Sequence, residues 1–195
     1  MSVKNSHTTA DYLDWDVMLN LIRRLYRDGE YRMSLFIGAG CFFGLRVSDL
    51  RKLTWAMLLA DDKFVINEQK TGKRRVVKIN ADFQNHIREC HDALRITNDD
   101  EPCFLSSRNV VYSTQRINVL LKEIKRKYNI KIENFSCHSL RKAFGRKVFE
   151  SSGENAQMAL VKLSELFNHS SVAITKIYLG IRQDELLETY DMLDF

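Results

Sequence analysis

Cys137-His138-Ser139-Leu140-Arg141-Lys142-Ala143-Phe144-Gly145 is the stretch of this chain on which the fold and the chemistry turn. Three residues apart, His138 and Arg141 share one face of a helix. Gly145 continues that face one turn on, and its missing side chain predicts space for a ligand backbone to approach. Leu140, Phe144 and Val148 fall on another side, toward a core. Ser136 is the candidate N-cap, which puts His138 in the first turn, where a helix end attracts anions. The same pair also occurs on the surface of ordinary amphipathic helices. An anion site therefore needs partners from elsewhere in the chain.

Toward the C-terminus the chain reads Leu166-Phe167-Asn168-His169-Ser170-Ser171, then Val172-Ala173-Ile174-Thr175-Lys176-Ile177-Tyr178. His169 closes one helix and Ser171 caps the next. Tyr178 follows nine residues after the histidine, and the other six tyrosines lack a basic, histidine-bearing run before them. Toward the N-terminus, Gly44 breaks a helix and puts Arg46 on the bend before a short helix with Ser48 as candidate N-cap. An arginine between apolar flanks at such a break is not an ordinary surface charge. Asp49, three residues on, is the candidate to orient its guanidinium. Between these segments, Phe64–Asn67 and Arg75–Ile79 read as strands joined by a hairpin with Gly72 at the turn. Lys70 lies at or beside that turn, where a mobile lysine can enter a site and deliver a proton. Lys73 is the alternative for the same role.

The remaining elements follow from periodicity. Asp14 caps a helix carrying Val17, Met18, Leu21, Ile22 and Leu25 on one side, closed by Gly29. Tyr31–Phe43 lacks a polar face, which predicts deep burial. Ala81–Leu94 and Thr114–Tyr128 read as helices. In the second, Ile117, Leu120, Leu121 and Ile124 point inward. Cys103-Phe104-Leu105 is a strand candidate after Pro102, the single proline. Helices are expected over Cys137–Ser151, Ala156–Phe167, Val172–Leu179 and Asp184–Leu193. The expected fold class is mainly α with a small three-stranded antiparallel sheet (α+β).

The 195 residues fit one domain, with a polar leader over 1–10 and a single unit over 11–195. The composition, 45% apolar and 28% charged, is that of an ordinary soluble protein. No stretch spans a bilayer, and the start has no apolar core of a signal peptide, which favours the cytoplasm. Cys41, Cys90, Cys103 and Cys137 fit neither a zinc ribbon nor a disulfide framework, and read as small buried hydrophobes. His86 and Cys90 lie one helical turn apart, but two ligands do not make a metal site. No nucleotide-binding loop is present, so no cofactor or metal is expected. The net charge of +5 tilts the partner toward polyanions. Basic residues concentrate in Lys70–Lys78 and Lys122–Lys131. The tail is acidic, with Asp184, Glu185, Glu188, Asp191 and Asp194 after Arg182. Such a tail is repelled by a polyanion and is expected to lie against protein.

The segments GLRVSDLRKLTW, CHSLRKAF and HSSVAITKIYLGI resemble the three signature boxes of the tyrosine recombinase (phage integrase) family. The lysine in the hairpin between the first two boxes also has a counterpart there. The resemblance covers roughly Asp14 to Tyr190, the family's catalytic domain. Two departures stand out. Family members commonly have Leu-Gly before the second histidine, where this chain has Phe167-Asn168. Asn is the next best residue for a turn that needs positive φ. Asp49 stands where a glutamate is more usual.

The resemblance implies that Tyr178 attacks a DNA phosphodiester to form a 3′-phosphotyrosyl bond, releasing a 5′-hydroxyl that a second strand end later replaces. Arg46 and Arg141 would bind the phosphate oxygens, Lys70 protonate the leaving oxygen, His138 accept the tyrosine proton or shuttle protons, and His169 hydrogen-bond the phosphate. Bond energy is kept in the ester, so neither ATP nor metal is implied. Double-stranded DNA and further copies of the chain, in a tetrameric synapse, are the implied partners. Neither a membrane nor a small-molecule substrate is. The 184–193 helix resembles a segment that often docks on a neighbouring protomer. The usual N-terminal DNA-binding domain is not in this sequence, as in an excised catalytic domain or a short member such as the fimbrial invertases. A bacterial nucleoid-associated or mobile-element protein is expected. Two rival readings are a type IB topoisomerase-like relaxase and a non-catalytic DNA-binding module that keeps the fold.

Overall fold

Asp14 starts the first helix as its sequence position requires: its carboxylate accepts from the backbone N–H groups of Asp16 and Val17, at 3.0 and 3.2 Å. The computed structural model describes residues 11–181 and Tyr190. The leader and the expected 184–193 helix lie outside the described residues. Helix α1 (Trp15–Arg27) buries Met18, Leu21, Ile22 and Leu25. Val17 is exposed instead of sharing that face. Helix α2 (Tyr31–Phe43) is buried nearly all round, as its apolar sequence predicts, and ends at Gly44 in the left-handed region (φ 56°).

Small residues on α2 let its neighbours approach. A Cβ at Gly40 would stand 2.8 Å from the Leu140 Cβ of helix α7 (Cys137–Glu150). One at Gly38 would meet the ring of Phe83 from helix α5 (Ala81–Ala93). The chain between α2 and α5 forms helix α3 (Val47–Leu50), helix α4 (Trp55–Leu59) and strands β1 (Lys63–Asn67) and β2 (Arg74–Lys78). Helix α3 begins two residues earlier than expected. Arg46, not Ser48, is its N-cap, and the Arg46 carbonyl accepts from Asp49 and Leu50. Helix α4 was not legible in the sequence. It is capped by Thr54 and anchored by fully buried Trp55 and Leu58.

The sheet has two strands among the described residues, not three. β1 and β2 pair antiparallel with Phe64 opposite Val77 and Ile66 opposite Arg75. Cys103–Leu105 makes only isolated bridges, Thr54 with Pro102 and Leu105 with Val111. Pro102 has no N–H to continue a ladder. The polar groups that follow are already taken: Cys103 N–H donates to Leu53 O, and Cys103 O accepts from Arg32.

Helix α6 (Thr114–Lys127) is capped by Ser113 and packs Ile117, Leu121 and Ile124 inward. Ser136 caps α7 through a capping box with Ser139. A 3-10 turn (Gly153–Asn155) leads into helix α8 (Ala156–Phe167), and Ser171 caps helix α9 (Val172–Leu179). Two apolar clusters result. The larger is built on α1, α2, α4 to α6 and one side of α7. The smaller gathers Leu160, Leu163, Phe167, Leu179 and Ile181 against Phe144, Val148 and Phe149 from the other side of α7. Helix α7 is the wall between them.

All four cysteines are free thiols in the interior. Burial raises each of them, Cys90 and Cys137 to about 12. His86 stands 3.0 Å from Ser34 Oγ and 3.5 Å from Cys90 Sγ, edge-on to Tyr26, as part of the core. Among the described residues, no group of three or more His, Cys, Asp or Glu side chains could hold a metal ion. No helix among them is long and apolar enough to cross a membrane.

Candidate active site

The seam between the two clusters is where the polar side chains gather. Phe167 ends α8, and its carbonyl is one of the four that a helix leaves without an internal partner. Arg46 Nη2 donates to that oxygen at 2.7 Å, and Arg141 Nη2 donates to it at 3.2 Å. Two guanidinium groups 95 positions apart in sequence thus converge on one acceptor. Arg141 is buried. It also donates to Gly44 O at 2.5 Å and stacks 4.2 Å above the Phe167 ring. Burial lowers its pKa to about 10, with Arg46 and Arg75 adding to the fall and Tyr178 opposing it, so it stays charged at neutral pH.

Arg46 is oriented by Glu68, not by Asp49. Arg46 Nη1 donates to Glu68 Oε2 at 2.8 Å. The helical three-residue spacing does not apply, because Arg46 itself has extended backbone (φ −69°, ψ 151°). Asp49 is fully buried and accepts from the Gln69 N–H at 2.7 Å, fastening α3 to the hairpin. Glu68 escaped the sequence reading, although a signal was there. Phe64, Ile66 and Glu68 alternate on one face, so the carboxylate had to point inward. It also accepts from Thr71 at 2.9 Å and faces Arg75, whose Nη2 donates to Phe43 O. Burial alone would raise the Glu68 carboxyl. The Thr71 hydrogen bond and the Arg46 and Arg75 charges outweigh it and hold the group below its ordinary range.

His169 follows Asn168, which adopts the left-handed region (φ 54°, ψ 46°) as the turn requires. The His169 Nδ1 lies 3.0 Å from the hydroxyl of fully buried Thr175, which fixes the ring. Burial lowers its pKa, and Arg141, Arg46 and Lys70 push the same way. His138, in the first turn of α7, is exposed, but partial loss of water around the ring and the Arg141 and Lys142 charges lower its pKa too. Both imidazoles are therefore neutral at pH 7.

Tyr178 on α9 packs edge-on to Phe167 and His169, with centroids 5.6 and 5.3 Å apart. Its hydroxyl is buried and has no hydrogen-bond partner among the described residues. Burial raises the phenol pKa, with the Arg141 and Arg46 charges acting against it. The sequence reading also missed Lys142, which is buried with its ammonium 5.4 Å from the Tyr178 ring centre.

One cavity of about 360 Å³ is lined by all six residues singled out from the sequence: Arg46, Lys70, His138, Arg141, His169 and Tyr178. Lys73 is not among its lining. It borders a neighbouring cavity of about 260 Å³, and its ammonium donates to Asn168 Oδ1 at 2.8 Å. Gly145 does not open toward a ligand. A Cβ there would stand 2.5 Å from Leu179 Cδ2 and 3.2 Å from the Phe167 ring, so the missing side chain admits α9 instead. A larger groove of about 970 Å³ shares His138 and Tyr178 with the site and continues past Lys142, Ile174 and Ile177 to Lys122, Lys125 and Arg126.

The cavity's lining carries the Arg46 and Arg141 guanidiniums and the Lys70 ammonium and no carboxylate, so its charge is positive. The arrangement can hold a tetrahedral anion, offer neutral imidazoles as proton acceptors and present a phenol to the anion's centre.

The sequence profile of the phage integrase family matches residues 12–185. The chain is similar to tyrosine recombinase XerC of Xanthomonas axonopodis pv. citri (strain 306), 27% identical over 148 residues, 76% of this chain and 46% of that protein. It is also 27% identical over 163 residues to the probable integrase/recombinase YoeC of Bacillus subtilis (strain 168), covering 83% of this chain and 82% of that one. The chain spans about half the length of the Xer relative. Among solved structures, XerA recombinase has a similar fold, with a TM-score of 0.73 at 24% identity over 96% of this chain and 66% of that one.

Proposed function

Because this chain belongs to the phage integrase family, we propose that it is a site-specific DNA recombinase that cleaves and rejoins double-stranded DNA through a 3′-phosphotyrosyl bond at Tyr178. The observation that carries the reading is the convergence of both arginines, both histidines, Lys70 and Tyr178 on one cavity.

The residues divide the work as follows. Arg46 and Arg141 take the non-bridging oxygens of the scissile phosphate and stabilise the charge that builds on them in the transition state. The Tyr178 oxygen attacks phosphorus as His138, neutral at pH 7, takes the phenol proton. The bond to the 5′-oxygen breaks, and Lys70 gives that oxygen a proton, so a 5′-hydroxyl leaves. His169, held by Thr175, donates to a phosphate oxygen. Attack by a 5′-hydroxyl from another strand reverses every step and frees the tyrosine. An ordinary tyrosine costs about 4 kcal/mol to ionise at pH 7, and burial raises Tyr178 further. The phenol therefore stays protonated, and inert, until DNA brings phosphate and base into register. A buried hydroxyl that makes no hydrogen bond among the described residues suits that resting state.

Strand exchange needs more than one copy. The reading includes a tetrameric synapse in which the acidic, Leu-rich 184–193 segment of one copy seats in the basic, apolar groove of its neighbour. Supporting this, Lys122, Lys125, Arg126, Ile174 and Ile177 line the groove, and the segment offers Asp184, Glu185, Glu188, Leu186 and Leu187.

The test is covalent capture. The chain is incubated with nicked suicide duplexes of randomised core sequence, and the denaturation-resistant adduct is recovered and sequenced. The expected result is an adduct on a defined sequence, abolished in Tyr178→Phe while binding to the same duplex stays within about twofold, since phosphate contacts dominate binding. An adduct that survives in Tyr178→Phe, or none from the unaltered chain, overturns the reading.

A further inference from the structure

The turn between α8 and α9 asks only for a residue that tolerates positive φ, and the glycine common in the family would meet that need. Asn168 does more. Its Nδ2 donates to Glu68 Oε2 at 3.0 Å, and its Oδ1 accepts from Lys73 Nζ at 2.8 Å. These two partners stand on opposite legs of the hairpin, one before Lys70 and one after it. Between them the turn is closed by Gly72 N–H to Glu68 O at 2.8 Å and by Glu68 N–H to Lys73 O at 2.9 Å. One carboxamide therefore grips both ends of the loop that carries Lys70. It sits one residue from His169 and one from Phe167, whose carbonyl receives both arginines.

We propose that Asn168 is a positioning residue that clamps the Lys70 hairpin to the His169 turn, so that the proton donor and the phosphate-binding groups keep one geometry. This rests on the strand-transfer reading above. The hairpin needs such a clamp. Residues 69–74 are all exposed and bury no apolar side chain, so packing does not hold them. The remaining anchors stay inside the hairpin or on α3: the Asp49 bond to Gln69 N–H before Lys70, and the Thr71 hydroxyl's bond back to Glu68 after it. Among the described residues, the Lys73 bond is the hydrogen bond that ties the leg that follows it to the α8–α9 turn. The same bond keeps the Lys73 ammonium outside the cavity that Lys70 lines. Two lysines on one short turn are thereby given different positions.

Asn168→Gly tests this cleanly, because glycine adopts the left-handed turn more easily than asparagine and removes only the carboxamide. Two measurements are made on the full chain. In the first, native-state trypsin cutting after Lys70, Lys73 and Arg74 is followed by mass spectrometry, and no DNA is needed. The variant is expected to be cut there at least about fivefold faster than the unaltered chain, with other sites unchanged. The second uses the suicide duplex captured by the unaltered chain, with either the normal 5′-oxygen or a bridging 5′-sulfur at the scissile phosphate. A thiolate leaves without a proton. Adduct formation on the oxygen duplex is expected to slow roughly tenfold or more in Asn168→Gly, and on the sulfur duplex less than about twofold. Lys70→Ala is expected to give the same selective pattern with a larger loss.

Equal slowing on both duplexes would mean general damage to the His169 turn and overturns the proposal. So does an unchanged rate on both, or hairpin cutting no faster than in the unaltered chain. If the unaltered chain forms no adduct on any duplex, the strand-transfer reading fails and the proton-delivery role fails with it. The trypsin measurement then still decides whether the clamp exists.

Discussion

Glu68 is the residue on which the free site's electrostatics rest. Its side chain is 1% exposed and faces the guanidiniums of Arg46 and Arg75. Removing one partner of a buried ion pair leaves the other uncompensated, which costs more than the pair contributes. Glu68→Gln keeps the shape and part of the hydrogen bonding, so it is expected to lose roughly 2–4 kcal/mol at pH 7. The pH dependence has a definite sign. The folded carboxyl titrates below its ordinary value of 4.5, so the ionised group stabilises the fold above that pH. Its contribution is lost as the pH falls from 4.5 through the lower folded value. Urea unfolding across the pH range should therefore separate the two proteins near neutrality and bring them progressively together as the pH falls below 4.5. A constant gap would refute the ionic role. Sequence spacing singled out Arg46, His138, Arg141, His169 and Tyr178, which the fold brings to one cavity, because their residue types and intervals are rare together. It missed Glu68 because an acid in a polar turn looks solvated until strand alternation is followed past the strand's end.

At the scale of elements, α7 decides how the site is assembled. Leu140 and Ala143 fix it to α2 on one side, and Phe144 and Val148 join the smaller cluster on the other. Gly145 is the contact point with α9. Gly145→Ala would drive a methyl into Leu179, which is 1% exposed and has little room to move. Overpacking of that kind costs about 1–3 kcal/mol. Because Leu179 follows Tyr178, α9 is expected to shift and adduct formation to fall at least tenfold more than DNA binding. Thermal unfolding and suicide-duplex kinetics on the same preparation check both parts. A variant normal in both would mean the close approach is dispensable. Helical periodicity located this glycine correctly. It could not say whether the vacated space holds a ligand or another helix, since both ask for the same missing side chain. Helix α4 was illegible for a related reason. Five residues are too few for a period to emerge, and its stability comes from burying Trp55 and Leu58.

At the scale of the whole molecule, the charge is divided between a basic body and an acidic C-terminal segment, and the basic groove shares His138 and Tyr178 with the smaller cavity. If that segment seats in a neighbour's groove, deleting residues 184–195 should leave adduct formation on a single half-site within about threefold while abolishing the paired-duplex complex in a native gel, because linked sites lose their effective concentration together. Unchanged synapsis in the truncated chain would discard the docking. The tail's destination was arguable from its charge, whereas the groove was not, because its lining comes from three helices that only the fold brings side by side. The interior position of the four thiols has a practical consequence. With burial raising every one of them, all four are expected to react far more slowly with a maleimide than an exposed thiol does. A fluorophore can thus be attached to a single engineered surface cysteine without stripping the native ones, and energy transfer between labelled copies can time the assembly as it happens.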